Sequence, residues 1–583
     1  MSYKKQFLGF NTASVFWLLA VIILGILFRF TNLPDKVFWV DEVSTIVRAS
    51  GYTISDVTNS LASQDIVDRQ TLMSSLTINS GRTLGDSLNA LIKSPEHAPL
   101  YFLLTRFWMQ WWGDSIAVMR SLSAVFSLCA LPSLYWLCQE LFRRSQISWL
   151  AVGIMSISPF YVAYAQEARP YSLWTVTILL SAASFLRAKR LNNRSAWLLY
   201  SLCLITSLYT SLFSIYLVAF QGLYLLAGIN KKNLIIIKNF IVIVALSLLA
   251  FAPWILVIIN HLDLLHDNTS WMRGNFNLAD IIAVYIGTNL LVFGDLPVST
   301  DTNPIQIAIA LLVIVVSCLV GIKFYPRWQN KWLKLALLGL LSCSLFILTR
   351  YIYLDWTTII GALVAIAILS LSAYSIYYLI TKTDKDRWLY IVCLMLSLPL
   401  PLLIVDIVNQ GQSSTAPRYL IPLQLGILIA VAFTVANKLN SKQHQAWQLL
   451  IAVFIVIGIY SNIRNLNTSP FYQKGRNINN PAIAKIINQD RKSLVIVEVS
   501  EAMDAISLAY SLIPEVKYQV IGNKEKVNLY LNKFDRVFIL KPSLVFKQEL
   551  KSDPEVKLRQ VYKSHVFSAD EFPLDLWQIE NNK

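Results

Sequence analysis

The stretch TASVFWLLAVIILGILFRFTNLPDKVFWVDEVSTI, residues 12–46, decides the class of this chain. Residues 12–30 are almost wholly apolar. Such a run matches the roughly 20 residues a helix needs to cross a hydrocarbon core of about 30 Å. It is long and lacks a small-residue cleavage site, so it is expected to stay as a helix and not to leave as a signal peptide. Lys4 and Lys5 precede it. Positive charge favours the cytoplasmic side, which places the N-terminus inside and the acidic pair Asp41-Glu42 outside.

The rest of the chain agrees. Of 583 residues, 55% are hydrophobic and only 14% charged, and the mean hydropathy is +0.53. Soluble proteins carry about a quarter charged residues. The expectation is an all-α polytopic membrane protein. The net charge of +16 would suggest nucleic acid in a soluble chain. Here the Lys and Arg residues gather in short loops expected to face the cytoplasm, so no nucleic-acid partner is implied. The six cysteines all fall inside apolar runs without metal-ligand spacing and read as small buried hydrophobes. There is no Gly-rich phosphate loop and no 20–50-residue repeat.

Apolar runs recur near 116–140, 146–164, 170–187, 195–210, 212–229, 234–258, 303–322, 333–350, 356–381, 387–408, 418–437 and 446–462. With 12–30 they give about thirteen crossings, basic residues falling on the inner side throughout. The run APLYFLLTRFWMQWWG, 98–113, is short for a span and carries Arg106 and Gln110. It reads as an interfacial or re-entrant helix with Trp108, Trp111 and Trp112 at headgroup level. A first external loop thus covers 31–114, and a second about 259–302. In the latter, His261 and His266 share no helical face well, which favours an interfacial helix over a metal site. From 463 the composition changes. SLVIVEVS and DRVFILK are strand-like, PAIAKIINQD and EAMDAISLAYSLI helical. The expected organisation is a transmembrane catalytic domain over 1–462 and a small soluble α/β domain over 463–583 on the outer face.

This topology gathers four polar clusters at one side: Asp41-Glu42; Glu96-His97; Gln166, Glu167 and Arg169; and Arg418. Ionisable groups at membrane depth are costly and tend to be functional. Each also has a plain structural reading. Asp41 and Glu42 suit the first turn of a juxtamembrane helix. His97 suits an interface, and Arg169 and Arg418 suit snorkelling or pairing with nearby acids. Arg169 precedes Pro170, a good helix starter, and a helix N-terminus also attracts anions. External carboxylates beside external arginines fit transfer from a lipid-linked phosphate. A carboxylate acts as general base on an acceptor hydroxyl, and arginines hold the phosphate and its growing charge. A phosphate leaving group needs no strong general acid.

The acidic pair after the first helix, HAPLYFLL (97–104), MRSLSAVFSLCALPSLYWLCQELF (119–142) and SPFYVAYAQEARPYSLW (158–174) together resemble the bacterial glycosyltransferases related to protein O-mannosyltransferases and the lipid A aminoarabinose transferase. PRYLIP (417–422) is a late landmark. The resemblance implies the GT-C membrane fold, polyprenyl-phosphate sugar donors and inversion at the anomeric carbon. It implies Asp41 as the base, with Glu42 supporting it or binding the acceptor. Arg120, Arg169 and Arg418, with Tyr419, would bind the donor phosphate. Glu96, His97, Gln166, Glu167 and Tyr171 would bind substrate or support the site. The family pattern His-Pro-Pro is here His97-Ala98-Pro99, which loosens the backbone but keeps the polar group.

No metal is expected to be required. A divalent ion on Asp41, Glu42, Glu96 and His97 is the alternative, on a donor set too generic to argue for it. The expected partners are a polyprenyl-phosphate sugar, a lipid, glycan or protein acceptor, and the bilayer of the cell membrane. Two other functions compete. A polysaccharide polymerase or ligase would put its large loop late in the chain. A lipid-linked glycan transporter would show broken helices in paired halves and charges near the midplane; neither pattern is visible.

Overall fold

The computed structural model describes residues 12–228, 234–274, 276–295, 356–441, 444–468, 474–522, 529–564 and 573–581. The runs 303–322 and 333–350 expected as helices lie outside them. Among the described residues six helices are long and apolar enough to cross a membrane. They are Ile116–Phe142, Tyr171–Leu191, Leu234–Asn260, Gly361–Lys382, Pro417–Lys438 and His444–Asn465. The chain is a mostly helical, multi-pass membrane protein.

Two expected helices are broken. The run near 146–164 forms Ser145–Ile157 and Pro159–Ala165, bent by 61°. Pro159 opens the second piece and Ser158 is extended, at ψ 119°, because the residue before a proline avoids the helical region. The break frees carbonyls at the end of the first piece. Arg29, fully buried at the end of the Thr12–Phe30 helix, meets them. It donates to Met155 O at 3.1 Å and Ser156 O at 2.5 Å, and to Ser127 Oγ at 2.8 Å. The first helix reaches this close because Gly25 lies against the Ser156 carbonyl, where a Cβ has no room. The run near 387–408 likewise splits at Pro399, into Lys385–Leu396 and Pro399–Asn409, bent by 41°.

The expected loop 259–302 contains a further helix, Leu278–Phe293, a correction to the sequence reading. Its 16 residues are mostly apolar but short of a span. They bury Ile281, Thr288, Leu291, Val292 and Phe293 against the bundle. His261 precedes a short helix, Leu262–Asn268, that buries none of its residues.

The first expected external loop is mostly helical: Val40–Ser50, Ile54–Ala62, Arg69–Met73, Leu84–Ile92 and Leu100–Trp112. Leu100–Trp112 leaves Trp111 and Trp112 strongly exposed, as a headgroup-level helix would. Its Arg106 is buried and donates to Ala49 O and Ser87 Oγ.

Near the C-terminus a five-stranded sheet forms in the order β2-β1-β3-β5-β4. The strands are β1 (Ser493–Glu498), β2 (Lys517–Ile521), β3 (Arg536–Leu540), β4 (Val556–Tyr562) and β5 (Leu576–Asn581). β1 lies parallel to β2 and β3, and β5 runs antiparallel between β3 and β4. SLVIVE reads as an unbroken apolar run because a central parallel strand is covered on both faces. The sheet does not stand alone. Phe38, Val43, Ile46 and Val47 of the first loop share one core with Val495, Val497, Tyr518 and Phe538. Val67 and Tyr518 also exchange backbone hydrogen bonds at 2.8 and 2.9 Å.

Candidate active site

Asp41 and Glu42 open the Val40–Ser50 helix, where acids complement the exposed N–H groups. One residue apart on a helix, they point in different directions, and their surroundings differ accordingly. Glu42 is fully buried. Its Oε1 accepts from Arg120 Nε at 2.7 Å and the Ala168 N–H at 2.8 Å. Its Oε2 accepts from Arg120 Nη2 at 2.8 Å, Lys474 Nζ at 3.0 Å and the Trp39 N–H at 3.4 Å. Burial pushes this carboxyl up, but Arg120 and Lys474 outweigh it and hold it well below the usual carboxylate range. Glu42 is therefore an anchor, with no oxygen left for an acceptor.

Arg120 is the matching correction. It is fully buried. Besides its two bonds to Glu42 it donates to Leu33 O at 2.6 Å, Lys36 O at 3.0 Å and Val37 O at 2.8 Å. A guanidinium has five N–H donors, and all are used. Arg120 ties the 33–37 turn to the acidic pair instead of facing a donor phosphate.

Asp41 is half-buried and has a single ion pair among the described residues, Arg169 Nη2 at 3.5 Å. Arg169 is aimed by three further contacts: Asp41 O at 3.2 Å, Thr45 Oγ1 at 2.7 Å and Tyr171 OH at 3.3 Å. Tyr171 stands between two arginines, 5.6 Å from Arg169 and 5.9 Å from Arg418. Arg418 also lies over Trp271 at 5.6 Å and Tyr419 at 5.3 Å. No carboxylate among the described residues pairs with Arg418. The buried Nε–H groups of both Arg169 and Arg418 donate to nothing there. Unsatisfied buried donors are costly, and two of them flanking one tyrosine suit an oxyanion with several acceptor atoms.

Gln166 and Glu167 lie on the same turn as Arg169 and are buried. Gln166 Nε2 donates to Phe28 O at 2.6 Å and Thr31 O at 2.9 Å, while its Oε1 accepts from Lys36. Glu167 accepts from Trp39 Nε1 at 2.8 Å; burial pushes its carboxyl up to about 7. Glu96 lies 3.5 Å from its neighbour His97 and accepts from Asn268 Nδ2 at 3.0 Å. Arg48 approaches Glu96 at 3.9 Å. Burial, then Arg48 and Arg169, hold the His97 imidazole well below its ordinary value, so it is neutral at pH 7. The four-residue metal alternative does not assemble, because both Glu42 oxygens are committed elsewhere. Among the described residues no group of three or more His, Cys, Asp or Glu side chains is placed to hold a metal ion.

Three contributors escaped the sequence reading. Lys474 reaches Glu42 from the C-terminal segment. Trp271 covers Arg418 from the stretch read as loop. Asp406 is fully buried and accepts from Ser413 N at 2.8 Å, Ser413 Oγ at 2.6 Å and Ser414 N at 2.7 Å. It thereby fixes the turn that delivers Arg418. Gln412 joins that turn to Trp271 O at 2.7 Å. An acid in an apolar run (PLLIVDIVNQ) was the available signal for Asp406.

Residues 96–257 match the family described as dolichyl-phosphate-mannose-protein mannosyltransferase. The resemblance read from the sequence holds over that segment. No curated protein sequence matches the chain. Among solved structures, ArnT from Cupriavidus metallidurans bound to undecaprenyl phosphate is similar over 98% of this chain and 98% of its own, at 11% identity and TM-score 0.41. The oligosaccharyltransferase of Archaeoglobus fulgidus in the apo form is similar over 91% of this chain and 70% of its own, at 12% identity and TM-score 0.46. The S. cerevisiae protein O-mannosyltransferase Pmt1-Pmt2 complex bound to the sugar donor covers 44% of this chain and 34% of its own, at 15% identity and TM-score 0.30.

Proposed function

We propose that the chain is an integral-membrane inverting glycosyltransferase of the cell membrane. It moves a sugar from a polyprenyl phosphate to an acceptor hydroxyl at the outer face, with the N-terminus cytoplasmic and the C-terminal unit external. The carrying observation is the pair of buried, unsatisfied Nε–H groups of Arg169 and Arg418 across Tyr171, beside the half-buried Asp41. The name of the family matched over 96–257 fits a lipid-phosphate sugar donor.

The chemistry balances without a further group. Asp41 takes the proton of the acceptor hydroxyl, and the acceptor oxygen forms the new bond to the anomeric carbon. The bond from that carbon to the phosphate oxygen breaks on the opposite face, and the electron pair leaves with the phosphate. Arg169 and Arg418 neutralise the charge that develops there. A single displacement inverts the centre. The acceptor is a lipid, a glycan or a protein hydroxyl.

Two measurements follow. Purified protein in proteoliposomes containing labelled polyprenyl-phosphate sugar and acceptor should release free polyprenyl phosphate in step with labelled product. A transporter would instead deliver intact donor to the opposite leaflet. Arg418→Gln should raise the donor KM about 10- to 100-fold, the value of a charge-assisted hydrogen bond or two; donor titrations of initial rate read this.

A further inference from the structure

We infer that Lys474 is a positioning residue for Asp41, so that the C-terminal segment completes the active site instead of merely covering it; this rests on the function proposed above. Lys474 is fully buried and sits 3.0 Å from Glu42 Oε2. The next residues grip the base's own helix. Asn477 Oδ1 accepts from the Val40 N–H at 2.9 Å, at the first position of that helix. Ser507 Oγ donates to Phe38 O at 2.6 Å, just before it. Arg476 and Asn477 are themselves held by Asp504, Arg476 Nε at 3.0 Å and Asn477 Nδ2 at 2.8 Å.

The charge arrangement explains why a lysine is needed at this place. Glu42 and Glu167 are both fully buried, and Lys474 is the cation that acts on both. Arg120 serves Glu42 from the opposite side. Without Lys474 two buried carboxylates share one cation fewer, and Glu167 sits on the 166–170 turn. That turn carries the Ala168 N–H to Glu42 and Arg169 to Asp41 O and Thr45. A shift of Glu167 therefore moves Arg169 and Asp41 relative to each other. Arg418, set by Asp406, does not move with it.

The test compares wild type, Lys474→Met and the charge-balanced pair Lys474→Met/Glu167→Gln. The amide introduced by Glu167→Gln would still accept from Trp39. Lys474→Met should lower kcat up to about 100-fold, since a misplacement of about 1 Å costs that much, while donor KM changes less than about threefold. The double variant should regain at least about tenfold of the loss. Hydrogen exchange over residues 40–50, read without substrate, should speed up in Lys474→Met and slow again in the double variant. Wild-type kcat and exchange in Lys474→Met would overturn the inference. So would a folded double variant as impaired as the single one, which would put Lys474 on the substrate. If Lys474→Met fails to fold, refolding of the double variant supports the inference and its failure to fold overturns it. If wild type transfers no sugar, the proposed function fails and the positioning role with it, and the exchange result then reads only whether Lys474 fixes the 40–50 helix.

Discussion

Asp41→Asn should lose about 10²- to 10⁴-fold in transfer rate, the range for removing a general base, while the protein folds as before. The carboxylate carries little of the architecture. The Val40–Ser50 helix is held by Asn477 at Val40 and by the Glu42–Arg120–Lys474 cluster. Arg169 keeps its bonds to the Asp41 carbonyl and Thr45, which the substitution does not touch. The lost ion pair, 3.5 Å long and with Asp41 partly open to solvent, is worth at most about 1 kcal/mol. Initial rates and thermal unfolding in the same detergent check both halves. An unfolded Asp41→Asn protein, or one with near-normal rates, contradicts the assignment.

Arg120→Met should do the reverse, destroying the fold before the chemistry. It leaves the buried Glu42 with Lys474 as its remaining ion-pair partner among the described residues and takes the Arg120 donors from three loop carbonyls. Breaking a buried ion pair on one side costs about 3–5 kcal/mol. The pair's contribution also has a defined pH window. The folded Glu42 is held below the usual range, so its stabilisation is present above the unfolded carboxyl's value and is lost only as pH falls through the lower, folded one. Glu42→Leu/Arg120→Met removes both charges and should recover part of the loss, but not all, because the Leu33, Lys36 and Val37 carbonyls still lose the Arg120 donors. Thermal unfolding and folded yield in membranes test this. A stable Arg120→Met protein with weakened donor binding would return Arg120 to the phosphate site.

Much of this architecture was legible in the sequence because a bilayer leaves few options. Apolar length placed the helices from 116–142 and 171–191 to 421–438 within a few residues. Charge bias put Asp41, His97, Arg169 and Arg418 at one end, and the structure brings them together. What stayed hidden depends on direction and distance. Adjacent acids look alike in a sequence; only the fold shows that Glu42 turns into a cage of donors and Asp41 does not. Arg120 looked available until its five N–H groups were accounted for. Lys474 lies 432 residues from its partner Glu42, and nothing local in FYQKGRN marks it. Leu278–Phe293 reads as loop in the sequence because 16 mostly apolar residues fall short of a crossing. Pro159 and Pro399 sat inside apolar runs whose length masked the breaks they cause.

The most direct test of the account separates holding the donor from breaking its bond. Binding of labelled polyprenyl-phosphate sugar and release of free polyprenyl phosphate should be measured on the same membranes, for wild type and Asp41→Asn. Donor binding should agree within about threefold in both, because Arg169 and Arg418 remain, with acceptor-dependent release in wild type only. Release by Asp41→Asn at the wild-type rate would contradict it.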